Sequence, residues 1–527
     1  MIGAGPNGLV AANVLADHGW SVEVHEASSE PGGSVRSGEI TVAGFRHDLF
    51  SAFYPLALAS PALRSLDLEG HGLRWAHAPL VLAHPLADGR CATLSTDLAA
   101  TADGLGRFAA GDGEAWVRMI EDWDRVAAPL MSALLGPFPP VTASVRLARR
   151  VGAAGLLRLV RQAVIPVRRM TEELFRGEGA GLLLGGSALH ADLCPEGSGS
   201  GFYGWLLSCL GQRYGFPVPV GGAGSLSAAL VARLHSRGGT IQCGSRITRV
   251  LVRGNRAVGV ENQAGNNATA SRAVLADVSA PALYHQLVGD HHLPPGFLAD
   301  LSRFHWDTST VKIDWALSRT VPWTAPEAAQ AGTVHIADDF DNLTEFSAHL
   351  AMGLLPARPF LLFGQQSRAD PSRSPEGTET AWAYTHVPRS IRGDAAGELG
   401  VDGNGRHPNW LPGFLERIEN RVERLAPGFR ASILGRHHFG PSDMESTNPN
   451  LSLGAIGGGT AQLHQQLVLR PVPGWGRAET PITGLYLASS SAHPGGGVHG
   501  APGANAARAA LLNMGRVRSA VLGRGLA

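Results

Sequence analysis

The sequence predicts an α/β protein built on a Rossmann-type βαβ unit, and three observations near its start indicate this fold. Three glycines in Gly-x-Gly-x-x-Gly spacing, Gly3, Gly5 and Gly8, follow the first two residues. The next stretch, LVAANVLADHG, is rich in helix formers and ends at Gly19, a typical helix-terminating residue. The segment WSVEVHEA then alternates apolar and polar residues as a strand does, and Glu26 closes it. This order is typical of a dinucleotide-binding unit.

The glycines of this unit each have a physical task at a bound dinucleotide. The first glycine permits the tight turn, the second lets the backbone approach a pyrophosphate, and the third lets the helix pack closely on the strand. The helix that follows begins with Pro6 and Asn7, and its N-terminus favours the negative phosphates. We therefore expect the turn and the first helical residues to bind the cofactor.

The acid at the end of the second strand narrows the choice of nucleotide. Glu26, with Ala27 beside it, lies close to the roughly 20-residue spacing of a ribose-binding acid. Its carboxylate would accept hydrogen bonds from ribose hydroxyls and repel a 2′-phosphate, so FAD or NAD is favoured over NADP. Only Met1 and Ile2 precede the glycines, so the first strand is either short or begins upstream of Met1.

Composition excludes several classes of protein. The 527 residues suffice for two or more domains, and the 44 acidic and 44 basic residues give no indication of a nucleic-acid partner. The four cysteines are far apart and form no CxxC pair, which argues against a metal site, a redox dithiol and a secreted disulfide framework. No signal peptide opens the chain and no uncharged apolar run reaches the roughly 18 residues of a spanning helix, so we expect a cytoplasmic protein.

A second glycine pair, Gly32 and Gly33, follows in SSEPGGSVRSGE. It resembles the extended motif of the amine oxidase and carotenoid (phytoene) desaturase superfamily, in which this loop wraps the FAD pyrophosphate and ribityl chain. The resemblance implies FAD as the cofactor. Members usually carry Gly-Gly-Arg; here Ser34 takes the arginine position and Arg36 follows two residues later, so Arg36 is the candidate phosphate contact.

The C-terminal stretch GLYLASSSAHPGGGVHGAPGANAARAALL carries the second part of the resemblance. In phytoene desaturase-like flavoproteins, an equivalent strand, glycine loop and helix lie against the isoalloxazine ring. The resemblance implies that backbone N–H groups there stabilise the reduced flavin, whose negative charge gathers at the N1–C2=O edge. The candidate contacts in this stretch are Ser490, Gly497, Val498 and His499.

A middle segment, from VPVGGAGSLSAALV to the hairpin ITRVLVRGNRAVGVEN, matches the same superfamily. There the first hairpin strand lies against the adenine, which implies Ile247 or its neighbours here. The following RAVLADVSAP is predicted to be a buried strand that returns to the FAD sheet. The group that the chain resembles in particular is the bacterial phytoene dehydrogenase-like proteins, which include relatives of pyridine nucleotide-disulfide oxidoreductase domain-containing protein 2.

The resemblance implies a glutathione-reductase-type Rossmann FAD-binding domain with an interleaved α+β substrate domain. We assign residues 1–100, 213–285 and 445–527 to the first domain and 101–212 and 286–444 to the second. A second Gly-x-Gly-x-x-Gly unit with a strand before it and an acid after it is not visible. We therefore expect oxygen or a quinone, rather than NAD(P)H, to exchange electrons with the flavin.

Residues 101–212 are predicted to be helical and include an arginine-rich stretch. Its arginines alternate with Leu and Val at near-helical spacing, which fits either a helix lying on an anionic bilayer or the solvated face of lid helices. The arginines are Arg146, Arg149, Arg150, Arg158, Arg161, Arg168 and Arg169.

Residues 286–444 are predicted to be strands with loops that form a roof over the flavin. Lys312 is the only lysine in the sequence, and two interpretations are open. It lies over the flavin, where it holds a water near N5 or lowers the pKa of nearby groups, or it is a surface lysine of a strand. Trp382, Tyr384 and His386 share one strand face and either line a hydrophobic channel or belong to the core.

Two histidines flank the C-terminal glycines, and either fits a proton carrier at neutral pH. We favour His499 over His493 because the backbone at the start of a helix faces the isoalloxazine ring. We expect His499 to contact the flavin rather than act as a base. The tentative catalytic residues are Lys312, His499 and Tyr384.

The predicted function is FAD-dependent dehydrogenation (desaturation) of a hydrophobic small molecule, with hydride transfer to flavin N5. Isoprenoid, carotenoid-like or polyketide-type chains are the substrates that the resemblance implies, and a peripheral membrane contact would suit them. Alternatives are a flavin amine oxidase, a redox-neutral isomerase and a non-enzymatic flavin-binding interaction protein. Sequence alone leaves the oligomeric state open.

Overall fold

The computed structural model describes residues 1–401 and 410–524, with side chains described as far as residue 513. Its α-helices are α1 (Pro6–Asp17), α2 (Pro55–Ala59), α3 (Pro61–Arg64), α4 (Leu98–Gly106), α5 (Asp112–Leu135), α6 (Val141–Val164), α7 (Val167–Leu174), α8 (Glu178–Leu189), α9 (Ser200–Tyr214), α10 (Gly224–Ser236), α11 (Pro295–Leu301), α12 (Phe340–Met352), α13 (Gln366–Ala369), α14 (Trp410–Leu425), α15 (Pro441–Thr447) and α16 (Ala501–Arg524).

The strands are numbered along the chain in the same way. They are β1 (Glu23–His25), β2 (Ser37–Gly38), β3 (His47–Asp48), β4 (Trp75–Ala76), β5 (Leu80–Pro85), β6 (Cys91–Leu94), β7 (Val218–Pro219), β8 (Thr240–Gln242), β9 (Ile247–Arg253), β10 (Arg256–Asn262), β11 (Asn267–Thr269), β12 (Val274–Ala276), β13 (Ser309–Leu317), β14 (Ala331–Ile336), β15 (Leu354–Leu355), β16 (Leu361–Gly364), β17 (Glu379–Val387), β18 (Gly393–Asp394), β19 (Ile433–Phe439) and β20 (Leu485–Leu487).

A parallel sheet lies at the centre of the dinucleotide-binding part. β1 pairs with β8 and β12 pairs with β20, both in parallel. Ile2 joins the two pairs, because it bridges His25 on one side and Ala276 on the other. The first strand of the βαβ unit is therefore a single bridging residue, after which the chain turns at Gly3 with a φ of +87°.

Two further layers cover this sheet. Helices α1, α10 and α16 form one core with it, in which Val10, Leu230 and Ala507 are fully buried. On the other side, the antiparallel strands β9, β10 and β11 contribute Val250 and Val260 to a second core. The predicted α/β fold with a Rossmann-type domain is thus confirmed, and its parallel sheet lies between these two layers.

A larger mixed sheet has the strand order β19-β13-β17-β16-β14-β5-β6. β13 pairs antiparallel with β17 and β19, and β14 pairs in parallel with β5. The sequence-based boundary at residue 100 is therefore wrong for β5 and β6, which hydrogen-bond into this second sheet (Leu82 opposite Thr333) rather than into the dinucleotide-binding part.

Helices α4 to α9 form the predicted helical block, and α5 packs on α9 through the Trp123 and Trp205 rings, whose centroids lie 5.1 Å apart. The range 286–444, predicted as strands with loops, also contains α11, α12 and α14. In α14, Phe414, Ile418 and Val422 recur at helical spacing and are fully buried, a signal that the sequence analysis missed. Residues 402–409 of that range, and 525–527 of the range 445–527, lie outside the described residues.

Within the described ranges, none of the helices is sufficiently long and apolar to cross a lipid bilayer.

Candidate active site

A groove of about 840 Å³ is lined by both sheets and by the helical block. The glycine turn of the βαβ unit and side chains of β13 and β17 line this groove. Apolar residues of α5 and α9 line a further part of it, which we call the apolar arm; they are Met131, Leu134, Leu135, Phe202, Leu206, Leu207 and Leu210.

The two ends of the chain and the middle hairpin meet at this groove. The predicted cofactor residues that line it are Gly3, Gly5, Pro6, Asn7, Glu26, Ala27, Gly33, Ser34, Arg36, Ile247, Ser490, Gly497, Val498 and His499. Gly8 and Gly32 do not line it. Gly8 donates its N–H to Asp277, and Gly32 donates its N–H to the carbonyl of Ala4. Both therefore hold the loops in place instead of facing the groove.

The backbone around the glycine turn forms a shallow cradle. Gly33 has a φ of +55°, and a Cβ atom built there would lie 3.0 Å from the Cα atom of Gly5. The two glycine loops therefore approach so closely that side chains would fill the space between them. The Oδ1 atom of Asn7 is buried at this cradle without a hydrogen-bond partner. These features fit the pyrophosphate and ribityl parts of FAD, which need close backbone approach and offer hydroxyl donors.

Glu26 is held in place by backbone N–H groups. Its Oε2 atom accepts from the Ala4 N–H at 2.7 Å and its Oε1 atom accepts from the Ser28 N–H at 2.8 Å. A carboxylate offers about four acceptor positions, so acceptor capacity is left for a ribose diol. The side chain is fixed before any ligand arrives.

Arg36 reaches the groove although it lies two positions after the family's arginine. Its Nε atom donates to the carbonyl of Gly33 at 2.9 Å, and its guanidinium carbon lies 6.0 Å from the centre of the Phe50 ring. Ser34, at the family's arginine position, accepts a hydrogen bond from Asn448 at 2.9 Å. The loop thus places a cation beside the cradle through Arg36, and not through the position of the family's arginine, which Ser34 occupies here.

Asp277 also lines the groove and is a residue that the sequence analysis did not single out. Its Oδ2 atom accepts from the Gly8 N–H at 2.8 Å, in the first turn of α1. Burial raises the pKa of Asp277 to about 7. The available signal was its place directly after the buried strand β12, because the carboxyl ends of parallel strands meet at the ligand-binding edge.

A cross-strand row of side chains runs over the middle of the groove. Lys312 lies opposite Tyr384, Tyr384 lies opposite Leu362, and Leu362 lies opposite His335. The Nζ atom of Lys312 is buried and donates to both carboxylate oxygens of Asp314 at 2.5 Å. Lys312 is therefore not a surface strand lysine; it is a buried cation that lines the groove with a fixed partner.

Trp382, Tyr384 and His386 all line the groove and also pack within the sheet. The Trp382 and Tyr384 rings are stacked, with centroids 5.9 Å apart and planes 7° apart. The pKa of Tyr384 is raised by burial and by the charge of Asp192, so the phenol is neutral. The channel and core interpretations are thus both compatible with the structure at these three positions.

The two histidines beside the glycine loop are buried. The Nδ1 atom of His499 accepts from the Ala501 N–H at 3.1 Å, and its Nε2 atom lies 3.3 Å from the Gly496 carbonyl. Burial lowers the pKa of both His499 and His493 to about 4. His499 is therefore a neutral imidazole that caps the start of α16, whereas His493 packs against Phe138 and does not line the groove.

Further titratable groups that the sequence analysis missed line the groove above β17. Asp192 accepts from the Thr308 hydroxyl at 2.6 Å and from its N–H at 3.0 Å, and burial raises its pKa. The Nε2 atom of His190 lies 2.7 Å from the Nε2 atom of His335, and burial lowers the pKa of His190 to about 3. His190 is therefore a neutral imidazole near neutral pH, and burial favours the protonated form of Asp192.

Comparisons with known proteins agree with this geometry. The family model of the NAD(P)-binding Rossmann-like domain matches residues 1–66. The chain is 28% identical to pyridine nucleotide-disulfide oxidoreductase domain-containing protein 2 of Mus musculus, over 98% of this chain and 93% of that protein. It is 25% identical to a phytoene desaturase (neurosporene-forming) of Rhodobacter capsulatus, over 94% of this chain and 90% of that protein.

Among solved structures, a putrescine oxidase bound to putrescine shares the fold with a TM-score of 0.61, at 16% identity, over 98% of both chains. That likeness supports the fold. The sequence similarity to the two relatives covers nearly the whole chain. Together with a cradle suited to a flavin dinucleotide, these findings identify the chain as an FAD-dependent oxidoreductase that is similar to the phytoene desaturases.

Proposed function

We propose that the protein dehydrogenates a hydrophobic small molecule, of an isoprenoid, carotenoid-like or polyketide type. The observation that carries this proposal is the apolar arm of the groove: apolar side chains of α5 and α9 line the same groove as the side chains of β13 and β17. Burying an apolar chain there gains about 25 cal/mol per Å² of surface removed from water. The name of the Rhodobacter relative, a phytoene desaturase, supports the same class of substrate.

FAD bound in the groove would accept a hydride at N5, which is the chemistry that the cofactor supplies. The protein's part is to position the substrate and exclude water. The arm holds the apolar chain, while the neutral phenol of Tyr384 and the fixed cation of Lys312 lie beside the reacting end. Oxygen or a membrane quinone would then take the electrons from the reduced cofactor.

Anaerobic mixing of the FAD-loaded protein with candidate substrates tests this function. We expect an acyclic isoprenoid in detergent to bleach the flavin absorbance band. Leu207→Arg places a charge in the arm and is expected to slow bleaching at least tenfold, whereas Leu512→Arg changes a leucine that is 69% exposed outside the groove and serves as the matched control. Bleaching that is equally fast in the Leu207 variant would contradict an apolar chain in this arm.

A flavin amine oxidase is the main alternative, and the fold shared with putrescine oxidase favours it. Against it, the Trp382 and Tyr384 rings stack on each other along one strand, and the carboxylate of Asp192 is already bound by Thr308. Bleaching by primary amines, with hydrogen peroxide released in air, would favour this alternative. No bleaching by either class would leave a redox-neutral isomerase or a non-enzymatic flavin-binding protein.

A peripheral membrane contact would supply such a substrate, and α6 provides the surface. Between Val141 and Thr171 the chain carries no acidic residue. The second half of α6 exposes apolar side chains at helical spacing, with Leu157 71% and Val160 55% exposed. At its C-terminal end the carbonyl of Val164 accepts from Gly199, and Gly199 lies against the exposed side chain of Leu463. The exposed apolar side chains of α6 and the exposed side chain of Leu463 thus lie on neighbouring segments.

Co-sedimentation with vesicles tests the membrane contact. We expect binding to vesicles that contain anionic phospholipid, weaker binding at high salt, and little binding to neutral vesicles. Arg149→Glu with Arg150→Glu should abolish binding, whereas Arg64→Glu with Arg253→Glu, two exposed arginines elsewhere, should not. No binding of the unchanged protein at low salt would remove this part of the proposal.

A further inference from the structure

Arg470 is a buried arginine that the proposed function does not use. Its side chain is 1% exposed and lines the groove beneath the C-terminal glycine loop. The guanidinium donates to the carbonyls of Thr460 at 2.9 Å and Ser490 at 2.7 Å, and to those of Gly457, Gly458 and Gly459 at 3.2 to 3.3 Å. It therefore ties together two loops that both line the groove.

This cation has no carboxylate within salt-bridge distance among the described residues. Burial lowers the pKa of Arg470 to about 10, so the group stays charged at neutral pH. A buried cation whose direct partners are all carbonyl dipoles is costly, and such a charge strongly favours a negative charge nearby. The charge of Asp307 acts on Arg470 from beyond salt-bridge distance and raises its pKa, but burial outweighs this effect. The fold thus maintains at this place in the groove a positive charge that has no ion-pair partner among the described residues.

The segment predicted to contact the flavin lies directly against this cation. A Cβ atom at Gly495 would lie 3.3 Å from the guanidinium carbon of Arg470, and one at Gly496 would lie 2.8 Å from the Gly457 carbonyl oxygen. The segment from Gly495 to His499 therefore packs on the loops that Arg470 holds.

An acid lies on the other side of the same loop. Asp307 accepts from the N–H groups of Gly457 at 2.6 Å and Gly459 at 3.1 Å, and it also lines the groove. The loop is thus held by a cation at its carbonyls and by an anion at its N–H groups. The two charges have opposite signs, so they should act oppositely on a charge that develops in the groove.

We propose that Arg470 is a positioning residue that sets the reduction potential of the bound flavin, because its unpaired positive charge stabilises the negative charge that the flavin gains on reduction. The inference rests on FAD binding in this groove and not on the identity of the substrate. Arg470 acts through the field that it creates and through the loops that it holds.

The midpoint potential of the FAD-loaded protein, measured by anaerobic dye-coupled reduction, tests this role. Arg470→Gln keeps a hydrogen-bond donor but removes the charge. We expect at least a tenfold loss of preference for reduced over oxidised flavin, which lowers a two-electron potential by about 30 mV. Arg470→Lys keeps the charge and should shift the potential less than Arg470→Gln does. Asp307→Asn removes the opposing charge and should raise the potential.

An unchanged potential in Arg470→Gln with FAD fully bound would overturn the proposal. Shifts of the potential in the same direction for Arg470→Gln and Asp307→Asn would also overturn it, because such shifts would reflect disturbed packing rather than charge. If Arg470→Gln fails to retain FAD, Asp307→Asn decides: a raised potential supports the proposal and any other result overturns it. These potentials can be measured even if no substrate is found. The proposed dehydrogenation and the proposed role of Arg470 can therefore fail independently of each other.

Discussion

The carboxylate of Asp277 accepts the N–H of Gly8 at 2.8 Å, a contact between residues 269 positions apart in the chain. It joins the end of β12 to the first turn of α1, and so fixes the glycine turn to the middle segment of the chain. The same carboxylate oxygen lies 2.6 Å from where a Cβ atom of Gly5 would be. A side chain at the second glycine of the motif would therefore clash with this acid.

Removing this carboxylate should weaken FAD binding. Asp277→Ala leaves the buried Gly8 N–H without its acceptor, which costs about 1–3 kcal/mol. We expect at least a fivefold weaker FAD affinity, measured by flavin fluorescence on titration. Asp277→Asn keeps an acceptor oxygen and should bind FAD nearly as well as the unchanged protein. Equal loss in both variants would mean that charge, and not the hydrogen bond, matters here.

Asp277 should also make stability depend on pH. Its folded pKa of about 7 lies above its unfolded value of about 3.9, so the folded protein holds the proton more tightly. The free energy of unfolding should therefore fall as pH rises from about 4 to 7, by up to about 1.4 kcal/mol per pH unit. Urea unfolding of the flavin-stripped protein measures this fall. Asp277→Asn should show a shallower fall; parallel curves for the two proteins would contradict the raised pKa.

The buried pair of Lys312 and Asp314 should be strongly coupled. Burial by itself raises the Asp314 pKa, but Lys312 and His47 outweigh it and lower the pKa. Asp314→Asn leaves a buried ammonium without its counter-charge and should cost about 3–5 kcal/mol of unfolding free energy. Lys312→Met combined with Asp314→Asn should cost less than the sum of the single changes. Strict additivity in urea unfolding would show that the pair is not coupled.

The stability that Asp314 contributes depends on pH with the opposite sign to that of Asp277. Because the folded pKa of Asp314 is lowered, its contribution to stability is present above the usual Asp range of about 4 and is lost as pH falls below it. Asp314→Asn should therefore lose less stability than the unchanged protein on acidification below about pH 4.

His499 should not be a proton carrier. Its pKa of about 4 and its capping contact with Ala501 keep it neutral across the physiological range. His499→Ala should cost about 0.5–2 kcal/mol of stability, as the loss of a helix cap does. The shape of the kcat/KM profile should stay the same between about pH 5.5 and 8.5. The loss of an ionisation in that window would show instead that His499 transfers a proton.

Several features were predictable because they depend on local backbone requirements. Gly3 needs a positive φ at the turn, β1 shows alternating polarity, and the hairpin turn between β9 and β10 contains Gly254 and Asn255. The order of glycine turn, middle hairpin and C-terminal glycine loop predicted that these segments would meet, and they line one groove. The amphipathic period of α14 was equally visible but was not used.

The sequence by itself determined the βαβ unit and the position of the acid predicted to bind the ribose, because the spacing of glycines and the alternation of strands are local properties; FAD rather than NAD followed from the resemblance to known flavoproteins. Only the tertiary structure decided that β5 and β6 join the second sheet, that Asp314 pairs with Lys312, and that loop carbonyls surround the guanidinium of Arg470 in the groove. Such facts depend on which distant segments come into contact, and no short stretch of sequence encodes its partner.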